Sequence, residues 1–142
     1  MKILFDTNIV LDLLLNREPF AEHAQSLFEK VESGKVDGYI AATTVTTLDY
    51  LLSKSLSAKE ATHIIKKLIK LFEVAPVNRL ILEDALDSGF SDFEDAVLHA
   101  AAIHCGVQAI VTRDEKGFSK AKLAIYSPEE LRNALSLEEM TA

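Results

Sequence analysis

The chain has 142 residues, 49% of them apolar and 26% charged, with five Gly and three Pro. That composition excludes a disordered, collagen-like or low-complexity protein, and the length suits one domain over residues 1–142 rather than two. Fifteen Lys and Arg against 22 Asp and Glu leave a net charge of −7, which excludes a blanket electrostatic grip on nucleic acid but leaves room for a local basic face.

Residues 2–5 are a short apolar run ending at Asp6, the pattern of a buried strand. Residues 8–15 read as a helix that stops before Asn16-Arg17-Glu18-Pro19, and a second helix over 20–33 ends at Gly34 as at a glycine cap. A strand follows over 36–42, then helices over 44–54 and 58–72 and a strand over 72–77. The second half is more sharply punctuated. A helix over 78–87 meets Ser88-Gly89, and one over 92–104 stops at Gly106. Residues 109–112 are an apolar strand, 113–117 a polar loop, 123–126 another strand, and 128–135 the closing helix. Three helix starts carry the capping pattern Ser-x-x-Glu, at Ser57/Glu60, Ser91/Glu94 and Ser127/Glu130, with Pro128 at the first helical position of the last. Short apolar strands alternating with helices predict an α/β three-layer sandwich with a small, mostly parallel sheet.

No internal repeat or linker divides the chain. Its one cysteine, Cys105, cannot form an internal disulfide, which suits a reducing cytoplasm. The four His are scattered, without zinc-ligand spacing. No apolar run approaches the roughly 18 residues of a membrane span, so no membrane partner is expected.

The carboxylates are the chemistry-bearing residues. Asp6 follows the first strand and Asp114 follows the strand over 109–112. In an open parallel sheet both would face the crevice beyond the strand ends if their strands are neighbours. Asp92 and Asp95 share one helical face, with His99 a turn on. Asp92 reads as an acid complementing the helix dipole and Glu94 as half of a capping box. Asp95 opens a run of small residues that implies close packing, and a half-buried carboxylate there needs a partner. Asp49 lies inside an apolar helix, where it is either one solvent-facing acid or a site residue. Asp12 is read as structural, so Asp12→Ala is expected to leave catalysis intact. Gathered carboxylates raise one another's pKa unless a cation neutralises them, and an oxygen-only set favours Mg²⁺ or Mn²⁺.

Asp6-Thr7-Asn8 after a first strand, an acid inside the third helix, Asp95-Ala96 in a later one, and Val111-Thr112-Arg113-Asp114 together resemble a PIN domain. The likeness is closest to the VapC-type ribonuclease toxins and their small bacterial relatives, and runs from Lys2 to about Leu135. It includes Gly117-Phe118 and the closing Pro128-Glu129-Glu130-Leu131. The resemblance implies metal-dependent cleavage of RNA to 3′-hydroxyl and 5′-phosphate ends, with Asp6, Asp49, Asp95 and Asp114 as catalytic acids. Of these, Asp6, Asp95 and Asp114 would be the metal ligands and Asn8 a hydrogen-bonding neighbour of Asp6. Asp49 stands where the family usually has Glu, six residues after Thr43, and Asp92 is an additional acid. The resemblance also implies an antitoxin partner and a homodimer. The apolar composition would place the dimer's covered face on the helix over 58–72 or its neighbour.

RNA must approach an acidic chain. Lys54, Lys59, Lys66, Lys67 and Lys70 read as a solvated helix face, whereas Arg113, Lys116, Lys120 and Lys122 adjoin Asp114 and suit phosphate better. His99 reads as packing rather than a catalytic base. A haloacid-dehalogenase-like phosphatase would need Asp at the position of Asn8, and a receiver domain would need a phospho-accepting Asp after a middle strand and a Lys after a later one. The remaining rival is a PIN fold acting as a non-catalytic or vestigial binding module, for which the departure at Asp49 speaks.

Overall fold

Alternation of large apolar side chains across β1 (Lys2–Phe5) sets the architecture, because successive residues of a strand face opposite sides of the sheet. Ile3 and Phe5 enter one core and Leu4 the other. The structure, a computed structural model, describes residues 1–141. Among these, β1 is joined by β2 (Asp37–Ala41), β3 (Glu73–Ala75), β4 (Ala109–Val111) and β5 (Ala124–Tyr126) in one sheet. The order is β3-β2-β1-β4-β5, and every pairing is parallel.

Helices α1 (Thr7–Leu14), α2 (Ala21–Glu32), α3 (Ala42–Ser55), α4 (Ala58–Leu71) and α7 (Pro128–Thr141) cover one face; α5 (Arg79–Asp87) and α6 (Phe93–Cys105) cover the other. The first core is built on Phe5, Phe28 and Phe72, whose rings meet at 5.1–5.8 Å. Each fully buried Leu, Ile or Phe contributes about 1.5–3 kcal/mol by leaving water. Gly38 of β2 makes room for this cluster, since a Cβ there would sit 2.7 Å from the Phe72 ring. On the opposite face, Ala96, Ala100, Ala101 and Ala102 are buried, and their small side chains bring α6 down onto the sheet.

The three-layer parallel sandwich is as the sequence predicts, with three local differences. Helix α7 runs on to Thr141 instead of stopping at 135, because Arg132 through Thr141 contains no Gly or Pro to end it and Leu131 and Leu135 anchor its buried side. The capping boxes form at Ser57 and Ser127 but not at Ser91. There α6 begins one residue later, with Asp92 as its cap: Oδ1 accepts from the Asp95 amide at 3.1 Å, and a carboxylate complements the helix dipole where a neutral Ser does not. Part of the expected loop at 113–117 winds into a 3-10 turn, Glu115–Phe118.

Sheet order turns sequence distance into proximity. The chain leaves β1 toward β2 and β3 and returns to lay β4 and β5 on the other side. The carboxyl ends of β1 and β4 therefore form the switch point where open parallel sheets bind ligands.

Candidate active site

Asp6 caps α1 and stands directly on the switch point. Its amide donates to the Val111 carbonyl at 3.0 Å, fixing it between β1 and β4. Its side chain is buried, and Oδ2 accepts from the Thr112 hydroxyl at 2.7 Å and from Asn8 Nδ2 at 3.3 Å. The same Thr112 oxygen accepts from the Asp114 amide at 2.9 Å, so one buried hydroxyl positions the acids that follow two strands. Burial raises the Asp6 pKa, the Thr112 hydrogen bond opposes the rise, and Glu94 and Asp114 add repulsion.

Asp114 Oδ1 accepts from the Gly117 amide at 3.3 Å, closing the 3-10 turn over the site. Gly117 has almost no free space. A Cβ built there would lie 2.5 Å from Asp95 Oδ2 and 2.9 Å from Asp114 Oδ2, so these two oxygens are closer together than the sum of those distances. Asp95 enters from the first turn of α6. Its pKa is raised from 3.8 to about 7, by partial burial first and then by the charges of Asp6, Asp92, Asp114 and Glu94. Gly117→Ala should therefore push the two carboxylates apart while leaving the fold intact, because those side-chain ends can rotate. We expect unfolding free energy within about 1 kcal/mol of wild type, and the RNA cleavage that the resemblance implies down by about 10–100-fold if these acids support a metal. Urea denaturation and an RNA cleavage assay read the two effects separately.

Asp95 and Asp114 thus flank Gly117, and Asp6 stands near enough to both for their charges to act on one another, as Asp92 does on Asp95. Glu94, set aside in the sequence as half of a capping box, is exposed and acts electrostatically on both Asp6 and Asp95. Asp92, one residue beyond Ser91, was the available signal that a better cap competes for that helix start. Asp49 lies on the exposed side of α3. The buried side of α3 is Thr44, Leu48 and Leu52, and at 100° per residue Asp49 turns to the exposed side with Thr46, Tyr50 and Ser53. It is not among the charges that raise Asp6 or Asp95. Two neighbours escaped the sequence reading: Thr112 as the bridge between acids, and Thr7, whose hydroxyl meets that of Thr44 at 2.9 Å to join α1 to α3. A Thr two residues before Asp after an apolar strand was the signal for the first.

Asp12 is wholly buried and takes Arg113 through two bonds, Nε to Oδ2 at 2.6 Å and Nη2 to Oδ1 at 3.1 Å. Arg17 stands at 3.6 Å and Phe20 stacks on the Arg113 guanidinium at 3.8 Å. Arg113 is thereby withdrawn from the basic group that the sequence assigned to phosphate. His99 packs on Phe90 at 4.9 Å, and its Nε2 accepts from the Lys122 amide at 3.0 Å. Burial lowers its pKa and the Lys122 charge lowers it further, as suits a neutral packing histidine.

The acids supply oxygen donors only. Among the described residues, no three His, Cys, Asp or Glu side chains stand close enough to hold one ion together. The donor chemistry fits a hard divalent cation. Asp95 Oδ2 and Asp114 Oδ2 face one another across Gly117, Asp6 repels both, and Asn8 Oδ1 is buried without a partner beside Asp6.

Comparison with known proteins places the chain by family and fold. The family model described as "PIN domain" matches residues 2–116. Ribonuclease VapC1 of Aquifex aeolicus (strain VF5) is 25% identical over 134 residues, covering 91% of this chain and 92% of that protein. The structure of VapBC-1 from nontypeable Haemophilus influenzae superposes with a TM-score of 0.70 at 16% identity, over 91% of this chain and 99% of that one. A toxin-antitoxin complex from Klebsiella pneumoniae gives 0.67 at 21% identity, over 89% and 97%. With its family model covering most of its length and its acids gathered at the switch point of a five-stranded parallel sheet, the chain belongs to the PIN domain family.

Proposed function

We propose that this protein is an endoribonuclease, a hydrolase that cleaves single-stranded RNA with Mg²⁺ or Mn²⁺ and serves as the toxin of a toxin–antitoxin pair in the cytoplasm. The observation that carries the reading is the mutual repulsion of Asp6, Asp95 and Asp114 beyond β1 and β4, with Asp95 and Asp114 both against Gly117 and Asp95 pushed up to about 7. Carboxylates crowded in this way hold their charge most readily around a cation. The name of the Aquifex relative and the toxin-antitoxin neighbours support it.

Asp6, Asp95 and Asp114 would hold the ion, which when bound lowers the pKa of a water and offsets charge on the phosphate. Asp6 is immobilised by Thr112 and by its own amide, so it contributes a fixed oxygen. Asp95 has no such clamp on its carboxylate, which would be free to accept the hydrogen bond of the attacking water and align it for in-line displacement. Gly117 keeps the space between Asp95 and Asp114 free of side chain. Purified protein should cut a labelled single-stranded RNA with Mg²⁺ or Mn²⁺ and stop with EDTA. Equal cleavage by wild type and Asp95→Asn at matched metal would overturn the reading.

The exposure of Asp49 favours a second reading, a PIN fold that binds without cutting. For the nuclease, that exposure leads us to expect Asp49→Ala to keep cleavage within about threefold and to gain a few tenths of a kcal/mol from better helix propensity. A loss approaching that of Asp95→Asn would instead return Asp49 to the catalytic set. For partners, we propose an antitoxin segment in the apolar groove between α1, α2 and α4, about 530 Å³ and walled by Leu13, Leu14, Phe28, Ile64 and Leu71. A homodimer would use α5, where Leu80, Leu82 and Leu86 are exposed; the sequence put that face on the helix over 58–72 or its neighbour. Among the described residues, no helix is long and apolar enough to cross a membrane.

A further inference from the structure

The basic residues around Asp114 do not act as one group. Arg113 is spent on Asp12, and Lys122 lines a hollow whose rim includes Asp84 and Asp87. Lys120 borders that hollow too, but with Lys116 it lines a smaller cavity of about 80 Å³ between the α5–α6 loop, at Gly89–Ser91, and the 3-10 turn, at Gly117 and Ser119. Four features of this cavity point to one ligand chemistry. Gly117 is both its wall and the residue against which the Asp95 and Asp114 oxygens lie, so the cavity adjoins the acids directly. No carboxylate lines it, in a chain of net charge −7. The Lys120 ammonium is held by the Gly89 carbonyl at 2.9 Å, which uses one of its three donors and leaves two. Its one aromatic, Phe90, is already packed against His99 at 4.9 Å and Phe118 at 6.1 Å, leaving no stacking platform for a nucleobase.

We propose that this cavity is a phosphate subsite of the RNA-binding surface: Lys116 and Lys120, with the Ser91 and Ser119 hydroxyls, take the phosphodiester next to the one presented to the acids. The inference rests on the nuclease reading and adds to it how a polyanion approaches an acidic centre. One phosphate is neutralised at the edge while its neighbour is delivered across Gly117.

The test uses full-length wild type, Lys116→Gln, Lys120→Gln, the double variant, and Lys66→Gln on α4 as control. Fluorescence anisotropy of a labelled single-stranded RNA gives Kd against salt, and cleavage of the same RNA with Mg²⁺ gives KM and kcat. Each lysine variant should raise Kd and KM by about three- to tenfold with kcat within about twofold. Each should also flatten the slope of log K against log salt by roughly 0.7, the value for one single-strand phosphate contact. Lys66→Gln should change nothing. A neutral methylphosphonate, scanned through the phosphates flanking the cut, should weaken wild type at one position and leave the double variant indifferent there. Unchanged Kd and salt slope in the double variant overturn the subsite, as does a methylphosphonate that weakens wild type and double variant alike at every position. A wild type that cuts no RNA yet binds it through these lysines overturns the nuclease reading and upholds the subsite.

Discussion

Arg113→Ala should lower the free energy of unfolding by about 3–4 kcal/mol, more than Asp12→Ala at about 2–3 kcal/mol. The order follows from where the surviving charge is left. Asp12 is wholly buried on α1, whereas the Arg113 side chain keeps 26% of its surface exposed. Removing Arg113 strands a carboxylate in the core with only Arg17 near it, at 3.6 Å and partly in water. Removing Asp12 frees two guanidinium groups that can each turn toward solvent, and Arg113 keeps its stack on Phe20. Replacing both partners together, Asp12→Leu with Arg113→Met, should recover most of the loss, because a buried pair exchanged for apolar side chains is often close to neutral. Urea denaturation of the three variants decides this; losses below about 1 kcal/mol for either single change would mean that the pair is not a structural tie.

The tie also reaches the site. Asp6 caps the helix that carries Asp12, and their partners Thr112 and Arg113 are consecutive residues leading into Asp114. Two hydrogen-bonded latches therefore set Asp114 against Asp6. Asp12→Ala should lower cleavage about tenfold, by analogy with the loss of groups that orient metal ligands. The sequence taken alone, which marks Asp12 as structural, leads to no catalytic effect. Nothing local in Asn8 through Leu15 shows that the carboxylate finds an arginine a hundred positions away.

That contrast marks what was legible in the sequence. Strands betrayed themselves as short apolar runs closed by polar residues, and Gly34 and Gly106, both at positive φ, stopped their helices where expected. Asp6 and Asp114 could be assigned to the switch point because their position depends only on following a strand. Asp95 could be suspected from the small residues after it. What could not be read were contacts settled by packing. Whether Ser91 or Asp92 caps α6 depends on a one-residue choice between two good caps, and that choice releases Glu94 from its box. The face Asp49 takes depends on which side of α3 meets α1 and α4. Thr47 through Leu52 is too apolar for periodicity to settle it.

Asp95→Asn should abolish RNA cleavage, by more than the roughly 100-fold that loss of a supporting residue costs, while making the metal-free protein more stable. Both effects have one cause. Asp95 is pushed from 3.8 to about 7 by burial first and then by Asp6, Asp92, Asp114 and Glu94, so the folded chain binds its proton more tightly than the unfolded chain. A raised carboxylate favours folding fully below the unfolded value near 4. That contribution fades as pH climbs, and is gone once pH passes about 7 and the group is charged. Asn cannot ionise, so the variant should match wild type in stability at low pH and exceed it increasingly from about pH 4 to 7. With solvent screening of a half-exposed group, the gain levels off on the order of 1 kcal/mol. Mg²⁺ or Mn²⁺ should reverse the ranking, because the ion stabilises the wild-type carboxylate by mass action and finds one ligand fewer in the variant. Thermal unfolding from pH 4 to 8, with and without metal, reads the sign at each point. A variant no more stable than wild type at pH 8 in EDTA would show that Asp95 carries no uncompensated charge, and the case for a cation at this site would then fail with it.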